Sequence, residues 1–260
     1  MTSRQKTPHG KMHENDSPVK NALRDNIKTF VWAAVIAVLI RSLLFQPFNI
    51  PSSSMKPTLL IGDFLFVTKF SYGYSRHSFP FSPNLFAGRL MGNMPERGDV
   101  AVFKLPADNR TDFIKRVIGL PGDTVQMRDG ALWLNGKPVE REAVDSFTDY
   151  VPGLGDRKIP QYRETLPNGV SYFTLDQIDG GPADNTGVFK VPAGHYFMMG
   201  DNRDNSSDSR ISSYVGYVPH ENLVGPARVL FFSFDDRVSM LQFWRWPIAI
   251  RYSRLFDLVR

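Results

Sequence analysis

The sequence predicts a mainly β protein, in which a single N-terminal transmembrane helix precedes an antiparallel β domain with a peripheral β lobe. Three observations predict it. One segment near the N-terminus has the length and apolarity of a membrane span. Beyond it, apolar residues come in short runs of strand length, rich in β-branched and aromatic side chains. Gly, Pro, Asn and Asp turn signals separate those runs, and no later segment holds a long amphipathic helical period.

The elements follow in chain order. Residues 1–26 are polar, with Lys6, Lys11, Lys20 and Arg24, and read as a cytoplasmic tail. Phe30–Ile40 is then unbroken apolar sequence, which Leu43, Leu44 and Phe45 extend past Arg41 and Ser42. A helix from Ile27 to Phe45 would reach roughly 28 Å, about one hydrocarbon core. Residues 27–46 are therefore assigned as a membrane anchor, with Arg41 near its far end, where a long side chain can reach the interface. The basic tail in front argues for a cytoplasmic N-terminus. A cleaved signal peptide and a buried core helix are the competing readings. Against the first stand the long polar lead-in, the interruption at Arg41 and the lack of an Ala-x-Ala site.

Strands are expected at Phe64–Lys69, Val100–Lys104, Phe113–Ile118, Thr124–Met127, Ala131–Leu134, His195–Met199 and Arg228–Phe234. They divide the body into a core of residues 47–138 and 193–235, a peripheral lobe at 139–192 and a C-terminal aromatic and basic segment at 236–260. Residues 74–95 read as a long loop exposing Phe79, Phe81 and Phe86. Phe243–Tyr252 mixes Trp and Tyr with Arg and suits either the membrane interface or a terminal strand.

Composition removes several kinds of chemistry. The 260-residue chain has no cysteine, which excludes thiol catalysis, and no His-rich metal spacing, so no metal or cofactor is expected. Its 31 Lys and Arg against 26 Asp and Glu make it mildly basic. That balance suits anionic lipid better than nucleic acid, for which no Lys/Arg run is present. The alternation Asp204, Ser206, Asp208 lacks the Gly and terminal Glu of an EF-hand loop.

What remains is an activated hydroxyl. Ser52, Ser53 and Ser54 cluster between Pro51 and Pro57, directly after the anchor. Lys115 lies in an apolar strand on the face of Phe113 and Val117, with Arg116 opposite. Burial there disfavours the ammonium form. Bringing the pKa from about 10.4 to about 7 requires roughly 3.4 units, about 4.6 kcal/mol of desolvation. A neutral lysine can then take a proton from a serine without histidine. Gly200–Arg210 is a dense run of Asp, Asn, Ser and Arg, in which Asp208 and Arg210 can pair and brace the backbone. Ser53-Ser-Met-Lys56 also satisfies the Ser-x-x-Lys motif of penicillin-recognising enzymes. That motif opens a helix, and Pro57 works against one.

Pro51–Leu59, Arg97–Asp99, Asp112–Arg116 with Gly119–Asp123, and Gly200–Arg210 occur in that order. Together they resemble the boxes of bacterial type I signal peptidases, membrane proteases with a Ser/Lys dyad. The resemblance runs from the anchor to about Phe234. It implies that Ser54 is the nucleophile, Lys115 the general base and Ser52 a partner of the Ser54 N–H in the oxyanion hole. It further implies that Ser206 orients Lys115, while Asp208 and Arg210 brace the site. Ile50, Pro51, Met55, Leu59, Phe113 and Ile114 would line shallow pockets for small substrate residues. The implied partners are signal peptides of preproteins and the phospholipid of the bacterial cytoplasmic membrane, with the β domain on its outer face. Better-known Gram-negative members carry two membrane segments and a disulfide, whereas this chain has one segment and no cysteine. Ser53 stands where the family often has Gly.

Overall fold

The computed structural model describes residues 18–84, 86–151, 155–235, 237–238 and 241–259. Helix α1 spans Pro18–Leu43. It starts earlier than expected, at a proline whose fixed φ suits a first turn, so residues 18–26 of the expected polar tail are helical. Residues 1–17 of that tail lie outside the described residues. The helix also stops earlier, with Leu44 N donating to Ile40 O at 2.8 Å, because the chain at once enters a strand containing Pro47. Ala22–Leu43 is long and apolar enough to cross a membrane, and its side chains are almost all exposed.

The longer strands, in chain order, are β1 (Phe45–Asn49), β2 (Asp63–Thr68), β3 (Val100–Lys104), β4 (Asp112–Gly119), β5 (Thr124–Arg128), β6 (Ala131–Leu134), β7 (Glu140–Val151), β8 (Gly155–Thr165), β9 (Ser171–Leu175), β10 (His195–Met199) and β11 (Leu223–Ser233). The chain divides into two compact units between Leu39 and Ile40, and all the strands belong to the second. Its main sheet runs β1–β2–β11–β3–β4–β10 and ends on Val218–Pro219. Every pairing in it is antiparallel. β5 and β6 form a second sheet with Phe189–Lys190 and Lys137–Pro138, and β7–β8–β9 form a third.

The peripheral lobe is less separate than its polar composition suggests. Leu166 and Tyr172 from the third sheet pack in one buried cluster with Ile118, Val125, Leu132 and Phe197. A second cluster places Met55, Leu59, Leu65, Val67, Val100 and Val102 beneath the serine turn. Loop 74–95 is partly built rather than open. Tyr74–Ser75 pairs with Arg89–Leu90, and the Ser75 and Ser78 side chains cap a short 3₁₀ turn reciprocally. Of Phe79, Phe81 and Phe86 only Phe81 is fully exposed, since Phe79 and Phe86 pack edge to face at 6.4 Å. The C-terminal segment is neither strand nor free tail. It forms one short helix, Trp246–Ala249, buries Ala249 against Phe234 and leaves Phe243, Trp244 and Ile248 exposed.

Candidate active site

The serine turn follows β1 and sits over the apolar cluster that holds Met55 and Leu59. Burial of those two side chains anchors the turn from below and leaves Ser52 exposed and Ser54 buried. Lys115 enters from β4, where it pairs across the sheet with Ala101. A small cross-strand neighbour leaves room for the lysine stem. Its ammonium nitrogen donates to Ser54 Oγ at 2.5 Å and lies 5.6 Å from the Phe113 ring centroid. Ser52 Oγ is 3.3 Å from Ser54 Oγ. Among the described residues the Ser54 backbone N–H has no protein acceptor.

Burial brings Lys115 from 10.5 down to about 8. It stays above the value of about 7 sought from sequence, because the Asp208 and Asp201 carboxylates pull it back up while Arg210 opposes them. Both acids are themselves paired. Arg210 grips Asp208 through Nε and Nη2, each at 2.9 Å, and reaches the Arg203 carbonyl. Burial pushes the Asp208 carboxyl up, yet Arg210 and the Gly200 N–H hold it below its usual range. Arg116, the neighbour of Lys115, grips Asp201 in a fork, Nε to Oδ1 at 2.8 Å and Nη2 to Oδ2 at 2.7 Å. Both partners are buried.

Ser206 departs from its implied place. Its hydroxyl is buried, makes no hydrogen bond to Lys115 here, and faces Asp208, whose carboxyl it helps hold down. The lysine is committed to Ser54, and Ser206 instead lies against Gly200. The expected pocket residues divide. Ile50, Pro51, Phe113 and Ile114 line a cleft of about 510 Å³ that also contains Ser52, Ser54 and Lys115. Met55 and Leu59 do not line it, being buried in the core below.

Several groups were missed by the sequence reading. Asn202 donates from its backbone N to Ser54 O at 3.1 Å and from Nδ2 to Ser53 O at 3.0 Å. Asn205 Nδ2 donates to Ser53 Oγ at 2.6 Å, and Thr58 Oγ1 donates to Asp201 at 2.5 Å. The Asp201–Asn205 stretch therefore clamps the serine turn at four points. A second charge beside Lys115 in an apolar strand was the available signal for Arg116, and it needed a buried acid to explain it. Tyr214 also reaches the cleft, packing edge to face on Phe113 at 6.0 Å.

Lys56, of the Ser-x-x-Lys pattern, is turned to another partner and donates to Asp149 at 2.6 Å. Among the described residues one carboxylate trio, Asp176, Asp184 and Asp204, lies within 4.8 Å. Arg141 donates to Asp176, and none of the three lines the Ser54 cleft.

The chain is similar to known proteins through most of its length. The family described as "Signal peptidase, peptidase S26" matches residues 23–232. A signal peptidase I of Rickettsia typhi is 39% identical, over 94% of this chain and 97% of the relative. One from Rickettsia canadensis is 43% identical, over 88% and 91%. A solved signal peptidase I from Enterococcus faecalis V583 is 29% identical, covering 52% of this chain and 97% of that one, with a TM-score of 0.30. A match through most of the chain, at about 40% identity to relatives matched over nearly their whole length, means that the chain belongs to the signal peptidase family, peptidase S26, and is a serine protease of signal-peptide processing.

Proposed function

We propose that Ser54 and Lys115 are the catalytic dyad of a membrane-anchored endopeptidase that cuts exported preproteins after a small residue, in an Ala-x-Ala-like sequence. The observation that carries this is the 2.5 Å contact between two buried groups, one of them a lysine lowered to about 8. A fraction of the lysine is neutral near pH 7 and can accept the Ser54 proton as the hydroxyl attacks the scissile carbonyl. The free Ser54 N–H and the Ser52 hydroxyl flank the nucleophile and are positioned to donate to the developing oxyanion. The protonated lysine then gives its proton to the leaving amine. Water hydrolyses the resulting ester with Lys115 again as base.

Apolar walls from Ile50, Val102, Phe113 and Ile114 favour small apolar side chains at the cleft and also desolvate the lysine. Helix α1 is read as a single-pass anchor with a cytoplasmic N-terminus and the β unit on the outer face of the bacterial cytoplasmic membrane. Phospholipid is then a constant neighbour, and a signal peptide in the same bilayer presents its cleavage site at that height.

The test is cleavage of a labelled preprotein by the full chain in detergent. Ser54→Ala and Lys115→Met abolish cleavage while Ser53→Ala retains it. Wild-type turnover in either dyad variant, with the fold intact, would overturn the assignment.

A further inference from the structure

A second cavity, of about 710 Å³, lies in the β unit beside the last turn of α1. Five cations line it: Arg41, Lys69, Arg76, Lys104 and Arg110. Its two carboxylates are already engaged. Asp112 pairs with Lys104 at 2.8 Å. Asp108 accepts from the backbone of Arg110 and Thr111 and from the Thr111 hydroxyl, within its own turn.

Lys69 is the informative member. It is 2% exposed, and its ammonium donates to the Ser78 carbonyl at 2.5 Å. Among the described residues no carboxylate lies within ion-pair distance of it. Burial lowers it to about 8, with repulsion from Arg41 next and only partial relief from Asp112, itself paired with Lys104, so at neutral pH it remains largely charged. A buried cation facing cations is costly unless an anion completes the site. Arg41 and Arg110 likewise have no ion-pair partner among the described residues, and Arg76 reaches Glu221 only at 3.8 Å.

We propose that this cavity binds a phosphate-bearing anion, supplied by the headgroup of an anionic phospholipid. A phosphate offers several acceptors to guanidinium and ammonium donors at once. The apolar surroundings select the lipid over the free ion. Phe79, Pro80 and Phe81 line the same cavity, and Phe81 is held fully exposed at a φ of 62°. Gln46 and Lys69, also in the lining, adjoin the exposed Phe45 and Phe70, whose rings meet edge to face at 5.9 Å. Free phosphate gains nothing from these rings, whereas acyl chains would cover them. The inference rests on the proposed anchor, in which the last turn of α1 reaches the headgroup layer and carries Arg41 to the depth of lipid phosphates.

The experiment titrates the full chain, in a neutral detergent, with dihexanoyl phosphatidylglycerol, dihexanoyl phosphatidylcholine or inorganic phosphate, reading thermal unfolding. The glycerol lipid is expected to raise Tm saturably, and the choline lipid to leave it unchanged. Arg76→Gln combined with Arg110→Gln should weaken the apparent Kd at least tenfold; Arg110 is exposed and Arg76 half-buried in a short surface turn, so both changes are tolerated. Lys69→Met should remove the response. Equal response to both lipids, or an unchanged midpoint in the double variant, overturns the site. Inorganic phosphate reproducing the midpoint supports the anion site and overturns its lipid source. Preprotein cleavage, measured in parallel without anionic lipid, is expected to persist in the double variant. A chain that binds the glycerol lipid through these residues and never cleaves would overturn the peptidase reading alone.

Discussion

Gly200 offers the sharpest test of how the site is held, because a single methyl group there meets the backbone of Ser54, the proposed nucleophile. Gly200 follows β10 and donates its N–H to Asp208 Oδ2 at 3.0 Å. It does not have the positive φ that would make any side chain strained, so Gly200→Ala tests space alone. The new Cβ would stand 2.2 Å from Ser206 Oγ and 2.6 Å from Ser54 O. The Ser206 hydroxyl can rotate away, though its Cβ, also 2.6 Å from the new methyl, cannot. The Ser54 carbonyl cannot do so freely, since it accepts from Asn202 N at 3.1 Å. Restoring an ordinary contact of 3.4 Å moves the Ser54 main chain by 3.4 − 2.6, or 0.8 Å. A displacement of about 1 Å at a reacting group can cost roughly 100-fold in rate, about 2.7 kcal/mol in barrier. Overpacking costs a further ~1–3 kcal/mol of stability. Single-turnover cleavage of a labelled preprotein, with Tm measured alongside, reads both. Adding Ser206→Ala relieves only the 2.2 Å contact, so the double variant should stay impaired. Wild-type kcat/KM in Gly200→Ala would refute the claim that this approach fixes the nucleophile.

Three further outcomes follow from the electrostatics. The single-turnover rate should climb tenfold per pH unit below about 8 and level off above it, as the base loses its proton; a rate that falls through that pH would contradict a lysine base. Lys115 also carries a stability cost. Its folded pKa lies below 10.5, so the unfolded chain binds more protons between about 8 and 10.5 and stability rises with pH across that window. Lys115→Met should therefore be inactive yet more stable by ~2–3 kcal/mol at pH 7, with the gain shrinking toward pH 10.5 in urea unfolding curves. Arg210→Met unmasks the Asp208 charge and removes a repelling cation, so the acid limb of the pH–rate profile should move alkaline, with partial return in Arg210→Lys.

How much of this was legible depends on what each residue had to reveal. Apolar strands such as β3 and β6 were found at their observed bounds because a buried strand must be apolar. β7 and β8 were not, since Glu140–Val151 and Gly155–Thr165 are largely solvent-facing and show no apolar run to betray pairing. β1 was missed because it overlaps the end of the assigned anchor at Phe45 and Gln46, where helix and strand compete for the same residues and only pairing with β2 decides. Lys115 stood out in the sequence because a lysine among apolar neighbours is costly and so conspicuous, and the structure sets it against Ser54. The clamp on the serine turn was not, because Asn202, Asn205 and Thr58 are ordinary loop residues whose partners lie more than a hundred residues away. Ser206 shows the limit from the other side, since family resemblance gave it a hydrogen bond that this geometry does not form.

In the proposed role of base, Lys115 works only while its neighbours leave it alone, and that role would account for the two arginines buried next to it. Asp208 and Asp201 are the acids that raise it most. Unpaired, either would hold the lysine protonated through the working pH range. Each is instead gripped by its own guanidinium, Asp208 by Arg210 and Asp201 by Arg116, in forked pairs almost wholly removed from water. Such pairs add little net stability, because desolvation offsets most of their attraction. Their value here is different. They let the same carboxylates hold the Gly200 N–H and Thr58 hydroxyl that shape the serine turn, with much of the acids' pull on the base cancelled. Geometry and basicity thus come from one set of groups, and a change that breaks a pair should move the pH profile as well as the rate.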